Sequence, residues 1–146
     1  MTIYRILIVE DDLDMQEMMV SFLQKSGFMV SAVKNAIELS DQLKSQRIDL
    51  VLLDVMLGDD NGIKLCKNIR ENNNIPIIIV SALSADQDRL LGFEVGADDY
   101  IAKPFNPQIL LAKIKAVLKR GTKIASLAYR RNTNVYHFND WIYNGK

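Results

Sequence analysis

Short apolar runs alternate with longer amphipathic segments through the first 120 residues of the chain. The apolar runs each end at a polar residue, and they are Ile6–Val9, Phe28–Val33, Val51–Leu53, Ile77–Val80 and Tyr100–Ala102. Between them, apolar residues recur at the three- and four-residue spacing of helices that bury one face. Five strand–helix repeats of this kind are typical of an open parallel sheet covered by helices on both faces.

Residues that are common at helix ends lie on either side of the amphipathic segments. Ser84 and Gln87 have capping-box spacing, and Pro107 follows Asn106 as proline commonly does at the first helical position. The expected ends are Gly27 after the first helix, Asn35 before the second, Asn61-Gly62 before the third, Ser84 and Gly96 around the fourth, and Asn106-Pro107 before the fifth.

The last 26 residues depart from this repeat. Residues 121–134 are mostly polar and are predicted to form a linker after a domain of residues 1–120. Residues 135–146 have a strand–turn–strand pattern. Because a two-stranded ribbon this short is marginal alone, we expect it to pack on another element or to begin a domain truncated here.

The amino-acid composition limits which classes of protein this chain could belong to. Of 146 residues, 49% are hydrophobic and 25% are charged, which is ordinary for a soluble globular domain. No apolar run approaches the ~20 residues of a membrane helix, and the N-terminus lacks the pattern of a signal peptide, so we expect a cytoplasmic protein. Cys66 is the single cysteine, which excludes an internal disulfide. The formal net charge is zero, so charge alone does not favour binding to nucleic acid.

Polar side chains that could bind a ligand or react follow four of the predicted strands. In an open parallel sheet the carboxyl ends of the strands share one edge, where ligands bind. We therefore expect one group of side chains there, contributed by Glu10, Asp11 and Asp12 after the first strand, Asp54 after the third, Ser81 after the fourth and Lys103 after the fifth.

This combination favours phosphoryl transfer. Gathered carboxylates either have raised pKa values or hold a cation between them, and oxygen ligands without histidine or cysteine favour Mg²⁺. Asp54 is then a candidate covalent acceptor that forms an aspartyl phosphate. Lys103 can neutralise a phosphoryl oxygen, while the Ser81 hydroxyl and the Ala82 N–H can bind another.

Simpler structural roles remain open for each residue taken singly. Asp11 or Asp12 could cap the first helix, and Asp54 and Ser81 could belong to ordinary turns. Their joint placement at separate strand ends favours the functional interpretation. Enzymes on a similar fold are less well supported, because residues 12–16 lack the threonine of a dehalogenase-type phosphatase motif and there is no glycine-rich phosphate loop.

Four motifs together resemble one known family. ILIVEDD, LLDVMLGDDNG, IIIVSA and GADDYIAKPF occur in the order and spacing of the receiver domains of two-component response regulators, over about residues 3–120. The resemblance implies a flavodoxin-like (βα)5 fold of class α/β, with a parallel five-stranded sheet of order 2-1-3-4-5 and helices on both faces.

The resemblance also implies roles for individual residues. Asp54 matches the phosphoacceptor, and the Lys103–Pro104 peptide bond is expected to be cis. The Mg²⁺ ion, or Mn²⁺ as an alternative, would be held by Glu10, Asp11, Asp54 and the backbone carbonyl of Met56. Phosphate binding and the conformational switch would use Ser81, Ala82, Lys103 and the aromatic ring of Tyr100.

The motif GADDY-x-x-KPF and the basic pair Lys119-Arg120 resemble the OmpR/PhoB-type subfamily, which carries a winged-helix DNA-binding domain. Its members dimerise on phosphorylation through a charged face, matched here by Arg89, Asp98, Asp99, Lys113 and Arg120. Ile109 stands where the subfamily usually has glutamate, so Arg89 would lack its usual partner and we expect a weak dimer. Residues 136–146 resemble the first winged-helix strands, and DNA binding would need a domain missing from this chain.

The expected function is therefore that of a signalling switch. A sensor histidine kinase would phosphorylate Asp54 in a Mg²⁺-dependent reaction, and the full-length protein would regulate transcription. The alternative is a stand-alone receiver that acts through protein contacts without DNA binding. In neither case is the chain expected to be an enzyme beyond weak autodephosphorylation.

Overall fold

A parallel sheet of five strands forms the centre of the molecule. The computed structural model describes residues 3–54, 56–57, 60–81 and 96–134. In these ranges the sheet contains β1 (Arg5–Val9), β2 (Met29–Val33), β3 (Leu50–Asp54), β4 (Ile77–Ser81) and β5 (Asp99–Ala102), arranged in the order β2-β1-β3-β4-β5. The predicted α/β fold class and the predicted strand order 2-1-3-4-5 are both confirmed.

Four helices lie within the described residues. They are α1 (Leu13–Lys25), α2 (Ala36–Ser45), α3 (Gly62–Asn72) and the C-terminal helix (Pro107–Asn134). The helix predicted between Ser84 and Gly96 falls outside the described residues. None of the described helices is both long and apolar enough to cross a membrane.

The helix ends follow the sequence signals. The Asn35 side chain accepts a hydrogen bond from the Glu38 N–H at 2.9 Å at the start of α2, as predicted. Gly27 follows α1 with a φ of +101°, a left-handed conformation that favours glycine. Asp12 caps α1, because its side chain accepts from the Met15 N–H at 3.1 Å. Asp12, rather than Asp11, is therefore the residue that caps α1.

The sheet has a separate apolar core on each face. On one face the side chains of β1, β3 and β4 pack against Met19 and Leu23 of α1 and Leu110 and Ile114 of the C-terminal helix. On the other face they pack against α2 and α3, which contribute residues including Cys66. All five residues of β3 and of β4 are buried, which explains their uninterrupted apolar sequences.

The C-terminal helix runs through the segment that was predicted to be a linker. Residues 121–134, predicted to be a linker, continue this helix to Asn134. The segment contains alanine, leucine, lysine and arginine, which are good helix formers, and has no proline to stop the helix begun at Pro107. The division into domains stays a prediction, and the ribbon predicted at 135–146 lies outside the described residues.

A second small sheet was not predicted. Two-residue strands at Met56–Leu57 and Asp60–Asn61 pair antiparallel, between β3 and α3. Strands of this length carry no periodic sequence signal, so pattern analysis could not find them. The ribbon begins two residues after Asp54, and it therefore borders the edge of the sheet where the polar residues were expected to gather.

Candidate functional site

Three carboxylates meet where β1 and β3 end. Glu10 directly follows β1 and Asp54 is the last residue of β3, and these adjacent strands align Val9 with Leu53. Carboxylate oxygens of Glu10, Asp11 and Asp54 all lie within 4.8 Å of one another. Glu10 is 1% exposed and Asp54 is 3% exposed, whereas Asp11 is exposed to solvent. The acidic residues predicted to converge are thus brought together.

Backbone and amide contacts hold Glu10 in place. Its N–H donates to the Val33 carbonyl at 3.0 Å, at the end of β2. The side-chain amide of Gln16 in α1 donates to the carbonyls of both Glu10 and Val33, at 3.0 and 3.2 Å. The Asp12 N–H donates to Glu10 Oε2 at 3.2 Å. The backbone of Glu10 is therefore held by β2 and α1, and the Asp12 N–H orients its carboxylate.

Lys103 brings the opposite charge to the same place. Its Nζ lies 2.9 Å from Glu10 Oε1 and 3.2 Å from Asp54 Oδ2, although these residues are 93 and 49 positions away in the sequence. Its backbone N–H donates to the Ser81 carbonyl at 2.7 Å. The Lys103–Pro104 bond is cis, as predicted. Lys103 thus bridges two carboxylates that would otherwise repel each other.

Burial and charge shift the protonation of this group. Burial, followed by a hydrogen bond with Asp54, raises the pKa of Glu10 to about 7, although the contact with Lys103 acts in the opposite direction. Burial lowers the pKa of the Lys103 ammonium, but the hydrogen bond to Glu10 and the charges of Asp54 and Glu10 outweigh it, so the net shift is upward. The ammonium is therefore stabilised in its charged form.

The donor set fits a hard divalent cation. Carboxylate oxygens at mutual distances within 4.8 Å can ligate one ion, and Mg²⁺ binds through a few carboxylates while keeping several waters. Met56, whose carbonyl the sequence analysis assigned to the metal, lies in the small ribbon opposite Asn61. Glu10, Asp11 and Asp54 are thus the side chains that could hold the ion.

Ser81 and Tyr100 lie on the neighbouring strands β4 and β5. Ser81 ends β4 and is buried, and its pairing with Ala102 places it beside the residue that precedes Lys103. Tyr100 lies in β5, is 8% exposed and packs in the core on the α2–α3 face. Ala82, expected to contribute its N–H, lies outside the described residues.

Comparison with known proteins now identifies the family. A family model described as the response regulator receiver domain matches residues 6–115. This chain belongs to the response regulator receiver domain family. It is 40% identical over 139 residues to the transcriptional regulatory protein GltR of Pseudomonas aeruginosa, an alignment covering 93% of this chain and 56% of GltR. The receiver chain thus spans about half the length of this curated relative.

Solved structures agree with this assignment. DrrB of Thermotoga maritima, described as an OmpR/PhoB homolog, superposes with a TM-score of 0.75 at 36% identity, covering 82% of this chain and 54% of DrrB. The BeF3-activated receiver domain of Klebsiella pneumoniae RstA superposes with a TM-score of 0.75 at 32% identity, covering 78% of this chain and 97% of that domain. The curated relatives of the receiver are OmpR/PhoB-type transcriptional regulators.

Two of the residues assigned to a dimer face, Asp98 and Asp99, make ion pairs within the chain. Lys113 Nζ pairs with Asp99 Oδ1 at 3.2 Å. The Asp98 carboxylate instead accepts from Arg70 of α3 and from the Ile77 N–H. Arg120 is exposed on the C-terminal helix, and Arg89 lies outside the described residues. Asp98 and Asp99 thus already have partners in their own chain.

Two residues whose hydrogen bonds join separate elements of the fold were not predicted from the sequence. Gln16 has a weak sequence signal, since it is a polar residue in the first turns of α1, where side chains can approach the preceding strand end. Arg70 has none, because an arginine near the end of a helix is ordinarily a solvated charge that favours the helix dipole. Its partners lie at Gly96 and Asp98, far along the chain.

Proposed function

We propose that this receiver accepts a phosphoryl group on Asp54 from a sensor histidine kinase, in a Mg²⁺-dependent reaction. The observation that carries the proposal is the joint position of the Asp54 carboxylate, two further acids and the Lys103 ammonium at one edge of the sheet. Carboxylate acceptors form aspartyl phosphates elsewhere in nature. Two similar structures, the receivers of DrrB and RstA, are described as BeF3-activated.

In the proposed reaction an oxygen of the Asp54 carboxylate forms a bond to phosphorus. The bond from phosphorus to the histidine nitrogen of the kinase breaks, and the imidazole leaves with the electron pair and is protonated. Mg²⁺, when held by Glu10, Asp11, Asp54 and the Met56 carbonyl, neutralises negative charge around the phosphorus. Mn²⁺ has similar ligand preferences and is the alternative ion.

Lys103 and Ser81 act on the phosphoryl oxygens. The Lys103 ammonium is paired with Glu10 and Asp54, so it is positioned to exchange one carboxylate for a phosphoryl oxygen. The Ser81 hydroxyl and the Ala82 N–H bind another oxygen. Movement of Ser81 toward the new group, together with an inward position of Tyr100, biases the receiver between two conformations of an output surface.

The output in the full-length protein is regulation of transcription. The curated relatives are transcriptional regulatory proteins about twice as long as their match to this chain, which supports a DNA-binding domain beyond it. The alternative is a stand-alone receiver acting on protein partners. Whether the gene continues past Lys146 into a basic helical domain distinguishes the two.

Acetyl phosphate tests the phosphoacceptor directly. The receiver incubated with acetyl phosphate and Mg²⁺ should gain one phosphoryl mass, and the gain should vanish when EDTA removes the metal. The matched control is Asp54→Asn, which keeps the size of the side chain and lacks the nucleophilic carboxylate. An Asp54→Asn protein that still gains the phosphoryl mass, or a wild type that never gains it, would refute the assignment.

A further inference from the structure

The guanidinium of Arg70 donates to backbone carbonyls in two separate segments and to one carboxylate. Its Nε and Nη2 donate to the Gly96 carbonyl at 3.1 and 2.8 Å, and its Nη1 donates to the Ile75 carbonyl at 2.9 Å. Nη2 also lies 3.1 Å from Asp98 Oδ2. The planar fork of arginine suits several acceptors at once, which a lysine could not match. Arg70 therefore ties α3 to the turns that precede β4 and β5.

The backbone conformation of Gly96 and its lack of a side chain permit this contact. It has a φ of +102°, which disfavours any residue with a Cβ, and a Cβ built there would lie 2.9 Å from Arg70 Cγ. The stem of Arg70 thus lies directly against the Gly96 backbone. Any side chain at this position would displace the guanidinium from its acceptors.

Asp98 continues the connection into the sheet. Its carboxylate accepts from the Ile77 N–H at 2.8 Å, and its own N–H donates to the Ile77 carbonyl at 2.7 Å. This reciprocal pair closes the start of the β4–β5 ladder. Because Arg70 holds the same Asp98 oxygen, it fixes the side chain that sets where β5 begins.

The start of β5 determines where Lys103 lies. β5 has four residues and forms one edge of the sheet, with Ile78 opposite Asp99 and Ser81 opposite Ala102. A slip of one residue would turn every β5 side chain to the opposite face, and β5 has only four residues to set its register. Arg70 acts on the Ile77 end of β4, about 13 Å along the strand from Ser81 at 3.3 Å per residue.

We propose that Arg70 is a positioning residue that, through Gly96 and Asp98, fixes the register of β5 and so delivers Tyr100 and Lys103 to the phosphorylation site. The proposal rests on the proposed function of this receiver for its effect on phosphorylation. It concerns only the β5 side of the site. The acids Glu10, Asp11 and Asp54 are carried by β1, β3 and the start of α1, whereas Arg70 donates to Ile75, Gly96 and Asp98 near the starts of β4 and β5.

Because Arg70 acts only on the β5 side of the site, Arg70→Met should affect the binding of Mg²⁺ and the binding of beryllofluoride differently. Mg²⁺ affinity, measured by calorimetry without an anion, should change only modestly, because the three acids keep their positions and only the charge of the displaced Lys103 beside Glu10 and Asp54 is lost. Affinity for beryllofluoride at saturating Mg²⁺ should fall about tenfold or more, because a displaced Lys103 no longer reaches the anion. Arg70→Lys should recover part of the loss, since it keeps the stem and one charge.

Lys67→Met provides the matched control. Lys67 is an exposed cation one turn earlier in α3, so its removal changes the charge of the helix without touching Gly96 or Asp98. Both affinities should be unchanged in this variant. Equal losses of Mg²⁺ and beryllofluoride affinity in Arg70→Met would instead indicate general destabilisation and overturn the proposal, as would no loss of either.

Amide hydrogen exchange tests the register without any ligand. The Lys103 N–H, which donates to Ser81, should exchange about tenfold faster or more in Arg70→Met, while the Glu10 N–H at the end of β1 keeps its protection. Unchanged Lys103 protection in both Arg70→Met and Arg70→Lys contradicts the proposal. A wild type that binds no beryllofluoride contradicts the proposed function instead, and the exchange result still decides the role of Arg70.

Discussion

Glu10 is the residue at which burial and function conflict most directly. A carboxylate that is 1% exposed and adjacent to Asp54 is costly to ionise, which is why its pKa rises to about 7. A metal ligand must be deprotonated, so a proton and a cation compete for the same oxygens. The Lys103 ammonium reduces the cost of this charge while the cation is absent.

We predict that Mg²⁺ affinity depends on pH through Glu10. Below about pH 7 each bound ion should displace one proton, so the affinity should fall by about tenfold per pH unit, and it should level off above that pH. Calorimetric titrations in two buffers of different ionisation enthalpy measure the released proton. In Glu10→Gln the affinity should be lower and nearly independent of pH. Wild-type affinity that stays constant between pH 5.5 and 8 would contradict this origin.

At the scale of elements, the acidic residues that follow β1 have two different roles. Glu10 and Asp11 contribute oxygens to the acidic group, whereas Asp12 caps α1 through the Met15 N–H. The helix in turn carries Gln16, whose amide holds the carbonyls at the ends of β1 and β2. Adjacent acidic residues thus contribute separately to the acidic group and to the start of α1.

Substitutions at Asp11 and Asp12 should separate these two roles. Asp12→Ala should lower the free energy of unfolding by about 1 kcal/mol, because the first turn of α1 loses its cap, while Asp12→Asn should cost only a few tenths. Asp11→Asn should weaken Mg²⁺ binding and leave stability in the absence of metal nearly unchanged. Urea denaturation and Mg²⁺ titration of the three variants provide the comparison. A loss of stability in Asp11→Asn as large as that in Asp12→Ala would refute the division.

At the scale of the whole molecule, the surface assigned to dimerisation departs from a simple charged face. Ile109 is 52% exposed on the C-terminal helix, where the OmpR/PhoB-type resemblance implies glutamate. Asp99 pairs with Lys113 and Asp98 with Arg70 in the same chain. An ion pair between chains would therefore have to replace a contact that each monomer already makes.

We predict a weak dimer on activation. With beryllofluoride and Mg²⁺, the receiver should sediment largely as a monomer in analytical ultracentrifugation at micromolar concentration. Ile109→Glu should tighten the activated dimer by about twofold to fivefold for each restored ion pair, the range for exposed pairs, and added salt should reverse the gain. A tight activated dimer that Ile109→Glu leaves unchanged would count against this reasoning.

Much of this architecture follows from local sequence. The apolar runs predicted the strands because β3 and β4 are buried on both faces. Asn35 and Gly27 marked helix ends because their side-chain and backbone preferences act over three or four residues. The polar residues ending those strands predicted the acidic group, because parallel strands bring their carboxyl ends to one edge.

Other features depend on contacts that local patterns do not encode. Residues 121–134 are helical because they continue the helix that begins at Pro107. The signal that starts this helix therefore lies outside the segment. Arg70 acquires its role from acceptors 26 and 28 residues away, which only the folded chain brings near. The same holds for the ion pairs of Lys103 and for the in-chain partners of Asp98 and Asp99.

The sequence by itself determined which residue types end each strand, and hence that acids, a hydroxyl and an ammonium would share one edge of a parallel sheet. Tertiary structure alone decided how they pair, because hydrogen bonds and burial depend on distances that close only when β1, β3, β4 and β5 align. Short-range preferences act through neighbouring residues, whereas the protonation of Glu10 and the position of Lys103 depend on groups far away in the chain.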